Sequence, residues 1–172
     1  MAYINPSQST GLPNLKSYLV QNLPEVTKRK RVYDAFVKWS GIGANAGTSP
    51  NSVGAVIMSF SPYMLPEVLV KPIPDAHGMF QMKIPNRILL DKPMVDYYEN
   101  NACGDAESML EAVVLHELIH VARFKFGLPD PPWYADESGK AFEIEAYGKV
   151  IGTKIWFANT SKTCAFKYQG FD

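Results

Sequence analysis

The stretch 105–126, DAESMLEAVVLHELIHVARFKF, constrains this chain more than any other part of it. No proline or glycine interrupts it after Asp105, and Gly127 and Pro129 follow directly. This pattern predicts one long helix that Asp105 caps and that the glycine and proline end. Because the segment is apolar nearly all round, we expect the helix to be buried in the core.

The letters HELIH within this helix place His116 and His120 four residues apart, one turn above each other on the same face. Two imidazoles at this spacing can bind one metal ion. We expect this ion to be Zn²⁺, with one ion per chain. Glu117 then lies beside the ion, where a general base for an activated water belongs. The alternative is a core helix with two chance histidines, but three buried polar side chains need partners, and a metal ion explains all three.

The third metal ligand is expected on a second predicted helix at 139–159, because catalytic zinc usually takes three protein ligands. This helix carries Glu143 and Glu145, which lie two positions apart and point to different faces. Glu143 is favoured, with Glu145 in reserve, because the small Ala146 on the face of Glu143 allows the two helices to approach closely.

Other residues are weaker candidates for the third ligand. His77 lies in a loop, and Asp136 and Glu137 lie in or next to a proline-rich connection. The metzincin pattern is excluded, since Arg123 and Phe126 stand where that class requires glycine and then histidine or aspartate.

An HExxH motif followed by a glutamate-bearing helix resembles the gluzincin branch of the zincin metallopeptidases. More narrowly, HELIHVARF together with GKAFEIEAYG resembles the metallopeptidase toxin families of bacterial polymorphic and type VI secretion effectors, over roughly residues 79–150. The resemblance implies a zincin-like α+β fold, zinc, peptide hydrolysis, delivery into a rival cell and a cognate immunity protein.

The remaining segments fit a single domain, 1–172, with a small antiparallel or mixed sheet packed on the HExxH helix. Residues 1–13 are polar and are expected to form a loose arm. Helical segments are predicted at 15–23, 24–41 and 94–101, and strands at 55–60, 67–71, 79–84 and 86–91. By analogy with zincins, 79–84 is the candidate strand that holds an extended substrate by backbone pairing.

A further donor is expected to stabilise the oxyanion that forms when a carbonyl is attacked. The candidates, in order of preference, are Tyr147, Tyr134, Arg123 and His77. Tyr147 comes first because it lies four residues after Glu143, on the same helix face.

Composition excludes several classes of protein. The formal net charge is +0, which gives no support for nucleic-acid binding, although residues 28–31 are all basic and form either a solvated helix face or an anion site. No apolar run is long enough to span a membrane, and no standard signal peptide begins the sequence. If the protein leaves its producer, it does so without a standard signal, or this chain is a piece of a longer protein; before export we expect it in the cytoplasm. Cys103 and Cys164 form either one disulfide in an oxidising compartment, such as a periplasm, or two thiols.

Three alternatives to a toxin peptidase remain. The first is a zinc amidase that acts on peptidoglycan cross-links, and the second is a housekeeping zinc peptidase. The third is a binding module with structural zinc, which is disfavoured because only three protein ligands can be found and Glu117 would have no role.

Overall fold

The computed structural model shows an α+β fold, the class that the sequence predicted. It describes residues 3–41, 66–101, 104–125, 127–128 and 137–151. The helices in these ranges are α1 (Pro13–Ser17), α2 (Lys30–Trp39), α3 (Lys92–Asn101), α4 (Gly104–Lys125) and α5 (Ser138–Tyr147). The strands are β1 (Tyr3–Ile4), β2 (Glu67–Lys71), β3 (Gly78–Phe80) and β4 (Arg87–Asp91).

The four strands form one mixed sheet in the order β1–β2–β4–β3. Strands β1, β2 and β4 run parallel, and β3 pairs antiparallel with β4. Strand β4 is buried over four consecutive residues because it lies between two neighbours and contacts both α3 and α4. A mixed sheet packed on the HExxH helix is one of the two arrangements that the sequence predicted.

Residues 3–13 do not form the loose arm that was expected for 1–13. Strand β1 pairs with β2, and Ile4 is buried. Beyond β1, the side chain of Asn5 donates to Glu67 at 2.6 Å, and Gln8 bonds both the N–H and the carbonyl of Val70 at 2.9 and 2.7 Å. The prediction was wrong because the side chains of Asn5 and Gln8 form hydrogen bonds with residues of β2 instead of facing water.

The N-terminal helical segments are more broken than predicted. Helix α1 continues into a π-helical turn, Tyr18–Asn22, and a 3₁₀ segment, Leu23–Lys28. The helix predicted over 24–41 is interrupted at Arg29, whose φ of −98° and ψ of 89° leave the helical region, and α2 begins at the next residue. The Arg29 side chain pairs with Glu111 of α4 and so joins this break to the core.

The basic run 28–31 makes ion pairs and hydrogen bonds with this chain's own groups. The pairs are Lys28–Glu25, Arg29–Glu111 and Lys30–Asp34, and the Arg31 guanidinium donates to the carbonyl oxygen of Glu145. This arrangement agrees with a largely solvated helix face, except that Arg29 reaches a buried carboxylate. It does not support an anion-binding site.

Helix α4 is the central helix of the core, as its composition predicted. It contacts α2, α3 and α5 as well as β3 and β4, and its apolar residues are buried on every side up to Ala122. Helix α5 is held over α4 by α2, where Phe36 and Phe142 meet edge to face with centroids 6.1 Å apart. The helix ends at Lys125, and Gly127 follows with a positive φ of 65°.

Two predicted elements are shorter than expected. Strand β3 ends at Phe80 rather than at 84, because the chain turns at 81–84, where the Ile84 N–H bonds the Gln81 carbonyl. Helix α5 ends at Tyr147, because Gly148 adopts a left-handed φ of 82°, which glycine permits.

Some predictions concern residues that the structure does not describe. The rest of the predicted second helix, 152–159, and the predicted strand 55–60 lie outside the described residues. Among the helices of the described ranges, none has both the length and the apolar character needed to cross a membrane.

Candidate metal centre

Three polar side chains of α4 lie together on one side of the helix. The rings of His116 and His120 are one turn apart, with centroids 5.1 Å apart. Glu117 is only 5% exposed and lines the same cavity as the two histidines. The HELIH spacing therefore produces the grouping that local helical geometry predicted.

The carboxylate of Glu137, directly before α5, lies close to both imidazoles. Its Oε1 lies 2.8 Å from Nε2 of His120, and its Oε2 lies 3.5 Å from Nε2 of His116. One ligand atom from each of these three residues lies within 4.8 Å of the others. These three side chains are the group of described residues that can hold a metal ion.

Glu137 is held in place by a second role, as the N-cap of α5. Its carboxylate accepts hydrogen bonds from the backbone N–H groups of Gly139 at 2.6 Å and Lys140 at 3.3 Å. These bonds satisfy amide groups that have no partner within the helix. The cap thereby fixes the carboxylate at the end of α5 that faces the histidines.

Glu143, which the sequence analysis favoured as the third ligand, lies on the other side of the His116 ring. Its Oε1 is 2.5 Å from Nδ1 of His116, and its Oε2 accepts a hydrogen bond from the N–H of Ile151. Both oxygens are therefore engaged, and the ring nitrogen that Glu143 binds is not the one that faces Glu137. A carboxylate in this position orients the imidazole and selects its tautomer, leaving Nε2 for an ion.

The reserve candidate, Glu145, points away from the histidines, as its spacing from Glu143 requires. Its Oε2 lies 2.7 Å from Nζ of Lys38 and 2.7 Å from Nε1 of Trp39, both on α2. These interactions lower the pKa of Glu145. The role of Glu145 is to join α5 to α2.

Glu117 lies against β3, the strand at the edge of the sheet. A Cβ added to Gly78 in β3 would lie 2.6 Å from Oε1 of Glu117, so only glycine allows this approach. Burial raises the pKa of Glu117, while the charges of His116 and His120 and a hydrogen bond from the backbone of Phe80 act in the opposite direction.

The charged groups of the metal centre shift one another's pKa values. Burial alone would lower the pKa of His116, but its hydrogen bond to Glu143 and the charge of Glu117 outweigh burial and raise it to about 9. Burial alone would raise the pKa of Glu137, but its hydrogen bond to His120 and the charges of both histidines lower it to about 2. Three carboxylates therefore lie around two imidazoles, and this excess of acidic groups favours a bound cation.

The fit of an ion also depends on how closely α5 approaches α4. A Cβ added to Gly139 would lie 2.4 Å from Nε2 and from Cδ2 of His116. The absence of a side chain there leaves room for the imidazole beside the first turn of α5. Two Nε2 atoms and a carboxylate are a donor set that suits zinc, so the residues present fit the ion that the sequence predicted.

A cavity of about 530 Å³ opens over the centre. His77 lines it, and this residue is only 4% exposed. Its Nδ1 lies 3.9 Å from Oδ2 of Asp91, a buried carboxylate that accepts a hydrogen bond from the N–H of Ile73 at 2.8 Å. His77 is not part of the group that can share an ion, but it faces the space in which a ligand of that ion would lie.

Two of the other predicted oxyanion donors, Tyr147 and Arg123, lie away from the cavity. The Tyr147 hydroxyl donates to Oε1 of Glu111 at 2.9 Å, and burial and that carboxylate raise the pKa of Tyr147. Arg123 donates to the carbonyl of Trp39 at 3.0 Å. Neither Tyr147 nor Arg123 lines the cavity, and Tyr134 lies outside the described residues. Tyr147 is therefore bound in the core, although it shares a helix with Glu143.

Sequence reasoning underrated Glu137 because it placed the start of the second helix at Gly139. The helix begins one residue earlier, at Ser138, which makes Glu137 its N-cap. An acidic residue directly before a predicted helix is a recognisable cap signal. That signal marks Glu137 as the residue that begins α5 rather than as part of the preceding connection.

Comparison with known proteins gives a match to a family model. The family model described as metallopeptidase toxin 3 matches residues 8–148, which include all the described residues of the metal centre. No curated protein and no solved structure shows significant similarity to the chain.

Proposed function

Because this match covers most of its length, the chain belongs to the metallopeptidase toxin 3 family, and we propose that it is a zinc peptidase of the zincin type that acts as an antibacterial toxin. The observation that carries the proposal is the convergence of His116, His120 and Glu137 in the cavity that also contains Glu117. The family implies a peptidase, a metal ion and a protein substrate. The choice of zinc and the roles of individual residues are our assignment.

We assign His116, His120 and Glu137 as the zinc ligands. Glu143 is reassigned from ligand to orienting residue, because it bonds Nδ1 of His116 rather than sharing the position of Glu137. When bound, zinc polarises the scissile carbonyl and lowers the pKa of a water molecule. The chain itself supplies the geometry, the base and the donors.

Glu117 is the proposed general base. It takes a proton from the attacking water and passes it to the departing amine, which requires a carboxylate beside the ion but not bonded to it. The closed contact with Gly78 limits its movement and excludes water from that side.

His77 replaces Tyr147 as the proposed donor to the oxyanion. Of the described candidates it is the one that lines the cavity, and it directly precedes Gly78, which contacts Glu117. The buried Asp91 near its Nδ1 favours a fixed orientation of the ring.

The toxin family supports delivery of the protein into a rival cell and a cognate immunity protein in the producer. Co-expression with the product of a small neighbouring gene tests this part of the proposal, because an immunity protein should relieve the toxicity.

The ligand assignment is tested by three variants measured side by side. Glu137→Gln should lose stoichiometric zinc and activity. Glu143→Gln should weaken zinc binding by about 10–100-fold, the range for residues that orient a ligand. Glu145→Gln is the matched control on the same helix and should retain zinc. Loss of zinc in Glu143→Gln with full retention in Glu137→Gln would return the assignment to Glu143.

The reaction is tested with purified, zinc-loaded protein and its Glu117→Gln variant. A peptidase should cut an unfolded protein substrate, lose activity with chelator and regain it with zinc. Release of cell-wall fragments without protein cleavage would favour the peptidoglycan amidase instead.

A further inference from the structure

Exposed apolar side chains gather at the mouth of the metal cavity. The large hydrophobic residues that stand exposed in the described ranges are Met82 (72%), Ile144 (49%), Ile84 (42%), Phe124 (42%) and Val150 (38%). Met82, Phe124 and Val150 line the cavity. Single exposed apolar residues are ordinary, but a group of them at a candidate active site indicates a binding surface.

Phe80 joins this surface to the metal centre. Its ring is stacked on that of His120, with centroids 6.4 Å apart and planes 7° apart. It also lies 5.7 Å from the ring of Phe124, which is one turn beyond His120 on α4. Met82, two residues after Phe80, lines the same cavity. We refer to Phe80, Met82 and Phe124 as the apolar shelf.

The shelf is next to the position in which a scissile bond would lie. Successive residues of an extended peptide are about 3.3 Å apart, so the side chain beside a bond held at the metal would reach a ring stacked on His120. None of the three shelf residues carries a charge, so an acidic side chain placed on the shelf would lose water without gaining a partner there. The surface therefore suits an apolar occupant.

We propose that the apolar shelf binds a large apolar side chain of the substrate, so that the enzyme cleaves beside residues such as leucine or phenylalanine in preference to acidic ones. This inference rests on the proposed peptidase function and specifies its substrate class. The occupant is a side chain of the substrate, and the shelf sets selectivity without taking part in proton transfer.

The test uses short peptides that differ only in one central residue, leucine or glutamate. Their dissociation constants are measured by fluorescence anisotropy with the zinc-loaded Glu117→Gln variant, and kcat/KM is measured with the parent enzyme. The leucine peptide should be preferred by about tenfold or more in both measurements, the scale on which hydrophobic pockets discriminate. Because binding is measured separately, a failure of hydrolysis counts against the peptidase function, whereas equal dissociation constants overturn the shelf.

Met82→Lys provides the sharper form of the test, because this side chain is 72% exposed and its replacement should not prevent folding. The substitution should shift the preference by about tenfold toward the glutamate peptide. Ile144→Lys is the matched control, an exposed apolar residue that does not line the cavity, and it should leave the preference unchanged. If Met82→Lys lowered the unfolding temperature with no change in preference, another part of this chain would cover the shelf and the inference would be wrong.

Discussion

Replacing Gly139 with alanine tests whether the close contact of α5 with α4 maintains the metal centre. The added Cβ would lie 2.4 Å from the His116 ring, whereas ordinary contacts begin near 3.4 Å, so the ring or the helix must move by about 1 Å. The ring cannot yield freely, since Glu143 binds its Nδ1 and Glu137 faces its Nε2. A displacement of this size should cost about a hundredfold in rate. Overpacking should lower the free energy of unfolding by about 1–3 kcal/mol.

The assay compares zinc affinity, kcat/KM and urea unfolding of Gly139→Ala with those of Gly104→Ala. A Cβ at Gly104, the first residue of α4, would meet nothing within 4 Å, so this control adds the same methyl group without a clash. The control should retain zinc and activity. Zinc affinity and kcat/KM equal to those of the parent in Gly139→Ala would refute the view that this contact holds His116 in position.

The remaining predictions concern the ion, the base, the tyrosine and the cysteines. Elemental analysis after purification without chelator should find about one zinc per chain, and the absence of any stoichiometric transition metal would remove the basis of the mechanism. Glu117→Gln should keep zinc and the unfolding temperature but lose about 10²–10⁴-fold in kcat, and parental activity would mean that the base is another residue. Tyr147→Phe removes the donor to the buried Glu111, so it should cost about 1–3 kcal/mol in urea unfolding with kcat/KM unchanged. A fall in kcat at unchanged stability would restore Tyr147 to the reaction. If Cys103 and Cys164 are bridged, unfolded protein that has not been reduced should titrate no thiols, and removal of the bridge should cost about 4 kcal/mol in the chain-entropy model, whereas two thiols would contradict the bridge.

Local geometry explains what the sequence alone determined. The four-residue spacing of His116 and His120 defines their common face as soon as a helix forms, and the uninterrupted apolar run predicts that this helix is buried. The HELIHVARF and GKAFEIEAYG segments together also resembled the metallopeptidase toxin families, and the comparison found a family of that kind.

Only the tertiary structure decided which carboxylate completes the proposed metal centre. Glu137 and Glu143 both follow the HELIH motif, and helical periodicity does not say which end of α5 approaches α4. That choice depends on contacts between distant parts of the chain: α2 holds α5 in place, and the glycine at 139 admits the His116 ring. The same reason explains why Tyr147, on the predicted face, is bound to Glu111, and why the polar first residues join the sheet. These interactions join residues far apart in the sequence, so they form only when the whole core assembles.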